Sequence, residues 1–273
     1  MNEKTTETKA KTEDDIRSGV RKAYAAVAAT HKTGACCGEP NNRCGVPAGP
    51  IGVASTRLGY SAEDLVVVPE GADMGLGCGN PRAIAALKVG EVVIDLGSGG
   101  GFDCFLAARE VGAEGRVIGI DMTPDMLSKA RTNAQTGGYA NVEFRLGEIE
   151  HLPVADTSVD VIISNCVVNL SPDKQQVFRD AYRVLKSGGR LAISDVVTTA
   201  ELPDEVKSDQ AMYSGCVSGA ASSDAVRAML EQAGFLDIRI EPKDESREFI
   251  KDWAPGRAVD DYVVSAYIEA RKP

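Results

Sequence analysis

Asp95-Leu-Gly-Ser-Gly-Gly-Gly101, directly after the apolar run Val92-Val-Ile94, decides the fold of this chain. A short apolar run that turns through glycines into the helical pattern Phe102 to Ala108 reads as a buried strand entering a helix around a nucleotide-like ligand. A dinucleotide fingerprint needs glycines at its first, third and sixth positions, with a pyrophosphate over the turn. Counted from Gly97, the sixth position here is Phe102. Asp95 stands at the strand end, where a carboxylate repels a pyrophosphate and suits a cationic ligand.

S-adenosylmethionine carries an ammonium and a sulfonium and no phosphate, so it is the expected ligand, with Asp95, Gly97, Gly99 and Gly101 at its site. Arg116-Val-Ile-Gly-Ile-Asp121 is a second apolar strand ending in an acid about 20 residues past the glycines, the place of a ribose anchor. Asp121 is that anchor, with Met122 beside it, and Thr123-Pro124 supplies the N-cap and first-turn proline of the next helix. The alternation continues. Asp125 to Thr136 predicts a helix, Val142 to Leu146 and Val159 to Ser164 predict strands, and Ser171-Pro172-Asp173 starts a helix expected to stop at Ser187-Gly188-Gly189. Leu191 to Ser194 is a further strand. Repeated strand–helix units with buried strands imply an α/β fold with a doubly wound, mostly parallel sheet, whose ligands sit at the carboxyl ends of the strands. Glu148, just past the third strand, is the candidate for the adenine amino group.

Four segments are expected: a disordered tail over 1–15, an N-terminal helix and cysteine-rich lid loop over 16–79, the ligand-binding domain over 80–198, and a smaller C-terminal α+β appendage over 199–273 that binds substrate and ends in a strand. Ile16, Val20, Tyr24 and Val27 share one helix face, which could lie over the ligand. Forty acids against 30 bases, a net charge of −10, argue against nucleic-acid and anionic-membrane partners. No export signal or membrane-spanning run is evident, so a cytoplasmic protein with reduced cysteines is expected.

The seven cysteines fall in telling places. Cys166 lies just past the fourth strand, Cys78 just before the helix start Asn80-Pro81, Cys216 in a glycine-bracketed loop, and Cys36, Cys37 and Cys44 in the long loop. Cys104 is a small core residue of a helix face.

These residues, with Gly119-Ile-Asp-Met122, Ser164-Asn-Cys-Val-Val-Asn-Leu170, Pro172-Asp-Lys-Gln-Gln-Val177, Tyr182-Arg-Val-Leu-Lys186 and Ser194-Asp-Val196, resemble the arsenite methyltransferases from about Ile16 onward. The glycine motif is shared by many methyltransferases; the Cys166 motif joined to Cys78 and Cys216 is far more specific. The resemblance implies a Rossmann-like class I methyltransferase fold. It also implies trivalent arsenic held by Cys78, Cys166 and Cys216, a redox cysteine near the N-terminus (Cys36 or Cys37, with Cys44 as a further choice), and cofactor contacts that include Asn165. Gly215 departs from members with an acid before the cysteine, so that substrate contact is absent. The implied partners are arsenite and methylated trivalent arsenicals, with thioredoxin, glutaredoxin or glutathione as the cellular thiol reductant and no structural metal. Soft thiolates suit soft arsenic, whose lone pair attacks the sulfonium methyl without a general base. Two other readings stay open: a methyltransferase for a small organic substrate, and a non-catalytic zinc- or arsenic-binding thiol protein.

Overall fold

The computed structural model describes residues 12–30 and 51–273. Cys36, Cys37, Cys44 and most of the expected N-terminal tail lie outside the described residues. Helix α1 (Glu13–Thr30) is followed by three short helices, α2 (Ile51–Arg57), α3 (Ala62–Val67) and α4 (Arg82–Ala85). The chain then alternates through β1 (Val92–Leu96), α5 (Phe102–Val111), β2 (Arg116–Asp121), α6 (Pro124–Gly137), β3 (Val142–Leu146), β4 (Val159–Asn165), α7 (Lys174–Val184) and β5 (Leu185–Thr198). These five strands are parallel in the order β3-β2-β1-β4-β5, with the strand order reversing beside β1, where such sheets open a crevice.

The glycine turn owes its shape to missing side chains. Gly101 caps α5 at φ +93°, and a Cβ there would lie 2.7 Å from the Phe105 ring. Gly97, at φ +70°, would put a Cβ 2.4 Å from Val167, so alanine would displace the loop after β4 at Gly97 and the Phe105 ring at Gly101. Thr123-Pro124 starts α6 as expected, although the Thr123 side chain makes no cap bond; its N–H donates to Asp121 instead, at 2.8 Å. Asp173 caps α7 by accepting from the Gln176 N–H.

That helix stops earlier than its pattern suggests. It ends at Val184, and Ser187-Gly188-Gly189 lies within β5, where the pairing with β4 slips between Val159 opposite Leu185 and Val161 opposite Arg190. Sheet pairing and full burial of Leu185 hold the backbone extended where the glycines alone read as a helix stop.

Both sheet faces are covered. Ile94, Ile118, Ile162 and Ile193 meet α7 and the later helix Ser223–Ala233 on one side, while Val93, Val117, Val161 and Ile163 meet α5 and α6 on the other. Phe178 and Phe105 are fully buried anchors of these two layers, each worth roughly 1.5–3 kcal/mol of transfer free energy.

The segment after β5 does two things. Helices α8 (Asp204–Lys207) and α9 (Gln210–Ser214) build over the carboxyl ends of the strands. Then β6 (Ala221–Ser222), α10 (Ser223–Ala233), β7 (Leu236–Lys243), α11 (Arg247–Ile250) and β8 (Val263–Arg271) follow, and β8 pairs antiparallel with β5 and carries β7 on its far edge. The boundary expected at 198/199 is therefore not a break in the sheet: the terminal strands complete it. Among the described residues no helix is long and apolar enough to cross a membrane.

Candidate active site

A cavity opens at the carboxyl ends of β1, β2 and β4, beneath α1. Of the residues expected to hold the cofactor, Asp95, Gly97, Gly99, Asp121, Met122 and Asn165 line it. Arg17, Val20 and Tyr24 of α1 form its cover, as the apolar stripe of that helix suggested. Asp121 accepts from the Gly99 N–H at 3.0 Å and the Thr123 N–H at 2.8 Å, which fixes the carboxylate against the glycine turn. Asp95 accepts from the Cys104 thiol at 3.2 Å, so the expected core cysteine also serves the site.

Two expected residues are placed otherwise. Gly101 shapes the turn without lining the cavity. Glu148 does not line it either: its carboxylate turns to Arg21 at 3.1 Å and Arg17 at 3.7 Å, and so ties down α1. The neighbouring Gly147, Ile149 and Glu150 reach the cavity, and Glu150 is held by Arg17 and the Ser171 hydroxyl.

The charge pattern fits a cationic ligand. Asp95, Asp103 and Asp121 all border the cavity; Asp95 and Asp103 are buried and Asp121 is half-buried. Burial, then the charge of Asp103, holds the Asp95 carboxyl well above its usual range; burial raises Asp103 and Asp121 against the hydrogen bonds they accept from Tyr60 and from the Thr123 N–H. Clustered acids under this strain favour an incoming cation. The Ser98 hydroxyl and the Trp253 indole N–H, buried at the same cavity, have no hydrogen-bond partner among the described residues and are available to a ligand. S-adenosylmethionine fits this donor set: acids for its positive groups, polar orphans for its hydroxyls and heteroatoms.

Asp103, Ser98, Glu150 and Trp253 were missed by sequence reasoning. Asp103 looks like an ordinary acid of a helix first turn. Trp253 carries a usable signal, being the one tryptophan of the chain in an otherwise polar stretch.

Beside this cavity the thiols converge. The sulfurs of Cys78 and Cys166 and a carboxylate oxygen of Asp195 all lie within 4.8 Å of one another. The Cys216 thiol donates to the Cys166 carbonyl at 2.8 Å. The Cys78 loop is clamped: its N–H donates to Asn165 Oδ1 at 3.0 Å, its carbonyl accepts from the Ser265 hydroxyl at 2.6 Å, and Asn165 Nδ2 donates to the Gly79 carbonyl. Cys166 and Cys216 both adopt left-handed backbone, at φ 59° and 64°, which is uncommon for residues other than glycine. Hydrogen bonding with Cys216 and Cys78, and then burial, pushes the Cys166 thiol well up. At Cys216 the bond with Cys166 works downward, but burial and the Asp195 charge outweigh it and the net shift is upward. Both are therefore neutral thiols at rest. Asp195, part of the Ser194-Asp-Val196 stretch but given no role in the sequence reading, is raised to about 6 by burial, against N–H bonds from Val196 and Asn169 and the charge of Lys174.

A methyltransferase-domain family model matches residues 87–234. An arsenite methyltransferase of Halobacterium salinarum is 55% identical over 272 residues, covering 95% of this chain and 67% of that protein. The human arsenite methyltransferase is 41% identical over 157 residues, 54% of this chain and 42% of its own length, so the chain spans about two thirds of the first relative and less than half of the second. The crystal structure of CrArsM, an arsenic(III) S-adenosylmethionine methyltransferase from Chlamydomonas reinhardtii, superposes with a TM-score of 0.61 at 33% identity, covering 83% of this chain and 75% of that one. With its glycine turn, acid-lined cavity and converging thiols, the chain belongs to the arsenite methyltransferase family.

Proposed function

We propose that this protein transfers methyl groups from S-adenosylmethionine to trivalent arsenic held by Cys78, Cys166 and Cys216. The observation that carries the reading is the convergence of these three buried thiols beside the acid-lined cavity. When bound, S-adenosylmethionine supplies a sulfonium-borne methyl, the electrophile for the arsenic lone pair. The chain positions the reactants: Asp121 and the glycine turn hold the ribose side, Asp95 and Asp103 face the positive groups, and the thiols aim the arsenic.

Neutral thiols suit neutral arsenous acid. Each As–S bond forms as an As–O bond breaks, and the thiol proton leaves with the departing hydroxide as water. No net charge is left in a pocket where Cys78 and Cys216 are 2% exposed and Cys166 8%. Methylated arsenicals, with one valence already filled by carbon, need only two of the sulfurs. Methyl transfer leaves arsenic formally oxidised; a thiol pair returns the electrons by forming a disulfide and releasing its protons, and a cellular thiol, thioredoxin, glutaredoxin or glutathione, resets it. Cys78 with one of Cys36, Cys37 and Cys44 is the pair we assign to this step.

One incubation of the full chain with S-adenosylmethionine, a thiol and arsenite, followed by speciation, tests the proposal. Methylated arsenic is expected, and a single-turnover sample with free thiols blocked should contain the disulfide. Arsenite recovered unchanged would refute the activity; product formed with every cysteine still reduced would refute the redox assignment alone.

A further inference from the structure

We propose that Cys78, Cys166 and Asp195 form a binding site for a thiophilic divalent cation of the Zn²⁺ or Cd²⁺ class, overlapping the thiol pocket. Two sulfurs and a carboxylate oxygen within 4.8 Å of one another are the donor set and spacing of a three-ligand zinc site with an open fourth position. All three side chains are buried, and each is held by its surroundings. Asp195, on β5, accepts the Asn169 side-chain amide at 2.9 Å and the Val196 N–H at 2.7 Å on Oδ1, and the Asn169 backbone N–H at 3.3 Å on Oδ2. A carboxylate has about four lone-pair sites, so these three bonds orient Asp195 and leave a position on Oδ2 for a cation. Cys78 is fixed by the Asn165 and Ser265 bonds described above, and the Cys166 N–H donates to the Ser194 carbonyl at 2.8 Å.

The charge closes as well. Two thiolates and one carboxylate around a dication leave one negative charge, and Lys174 lies where it is attracted to both Asp195 and Cys216. The two thiol protons go to solvent on binding. Trivalent arsenic is satisfied by sulfur alone and has no need of the harder carboxylate, so Asp195 separates the two ligands. A bound cation removes two of the three sulfurs from arsenic; this competition, unlike the cation site itself, rests on the arsenic reading above.

The test uses the reduced full chain and Zn²⁺, without arsenite. X-ray absorption of the zinc-loaded protein should show two sulfurs near about 2.3 Å and at least one oxygen at about 2.0–2.2 Å. Asp195→Asn should weaken zinc at least tenfold in a chelator competition, while S-adenosylmethionine affinity confirms that the variant is folded. An all-sulfur zinc shell, or wild-type zinc affinity in folded Asp195→Asn, overturns the site; the shell is read on the native chain and stands whether or not the variant folds. If zinc binds as expected but added arsenite neither displaces it nor is excluded by it, the cation site stands and the arsenic assignment of these thiols fails.

Discussion

Cys166 and Cys216 sit where glycine would be easier, and this can be measured without any substrate. Their φ values of 59° and 64° place a Cβ in the left-handed region, which costs roughly 1–2 kcal/mol for a residue with a side chain. Glycine escapes that cost but loses about 0.5–1 kcal/mol to its freer unfolded chain. Replacing either cysteine by Gly and by Ala removes the thiol in both cases and leaves the backbone term as the difference. The Gly variant should then be the more stable of each pair, by up to about 1.5 kcal/mol after the two effects are set against each other. Cys104 is the control: it lies inside α5, where Gly should be the less stable variant by about 1 kcal/mol. Urea titration at constant m reads all six variants as midpoint shifts. If Ala exceeds Gly at 166 and 216 as it does at 104, the left-handed backbone carries no strain. The idea that the fold retains strain in order to aim these thiols would then be wrong.

Asp121→Ala removes an acceptor from the ribose side and frees the Gly99 and Thr123 N–H groups; about 1.5–3 kcal/mol of S-adenosylmethionine affinity should be lost. Unchanged affinity by calorimetry would take Asp121 out of the site. Trp253 is the sole tryptophan and its unpartnered N–H borders the cavity, so its emission should change saturably with S-adenosylmethionine or arsenite; a flat signal with both ligands would contradict that placement. Asp195, raised in the fold to about 6 from an ordinary 3.8, favours folding while protonated, and that contribution is lost as pH rises from about 4 through 6. Asp195→Asn lacks this loss, so its stability relative to wild type should rise over the same interval, by up to about 3 kcal/mol. A pH-independent difference in denaturation midpoint would show that Asp195 does not titrate as described.

The fold was legible because its signals are local. Val92-Val-Ile94 with its glycine turn, Asp121 closing β2 and the proline at the start of α6 each specify an element within a few residues. The stop of α7 was not legible, since strand pairing between Leu185 and Val159 decides it. Site residues divide in the same way. Asp95, Gly97, Gly99 and Asp121 follow from the strand ends. The apolar stripe of α1 announced its place over the cavity, but the ion pair that turns Glu148 to Arg21, 127 residues away on that helix, has no signal in the sequence around Glu148. Asp195 reads as the tail of a buried strand, and only the sheet order that sets β5 beside β4 brings it to Cys166 and Cys78. The terminal strands were read as an appendage because an antiparallel insertion of β8 between β5 and β7 has no signature in the sequence.

The central claim, that these thiols hold arsenic for methylation, is tested most directly by arsenite methylation in the Cys166→Ser, Cys216→Ser double variant. Hydroxyls are hard and stay protonated at neutral pH, so arsenic would keep a single pocket sulfur, that of Cys78. No methylated arsenic should form above background, while S-adenosylmethionine binds with wild-type affinity. Normal methylation by the double variant would contradict the account and favour an organic substrate for this fold.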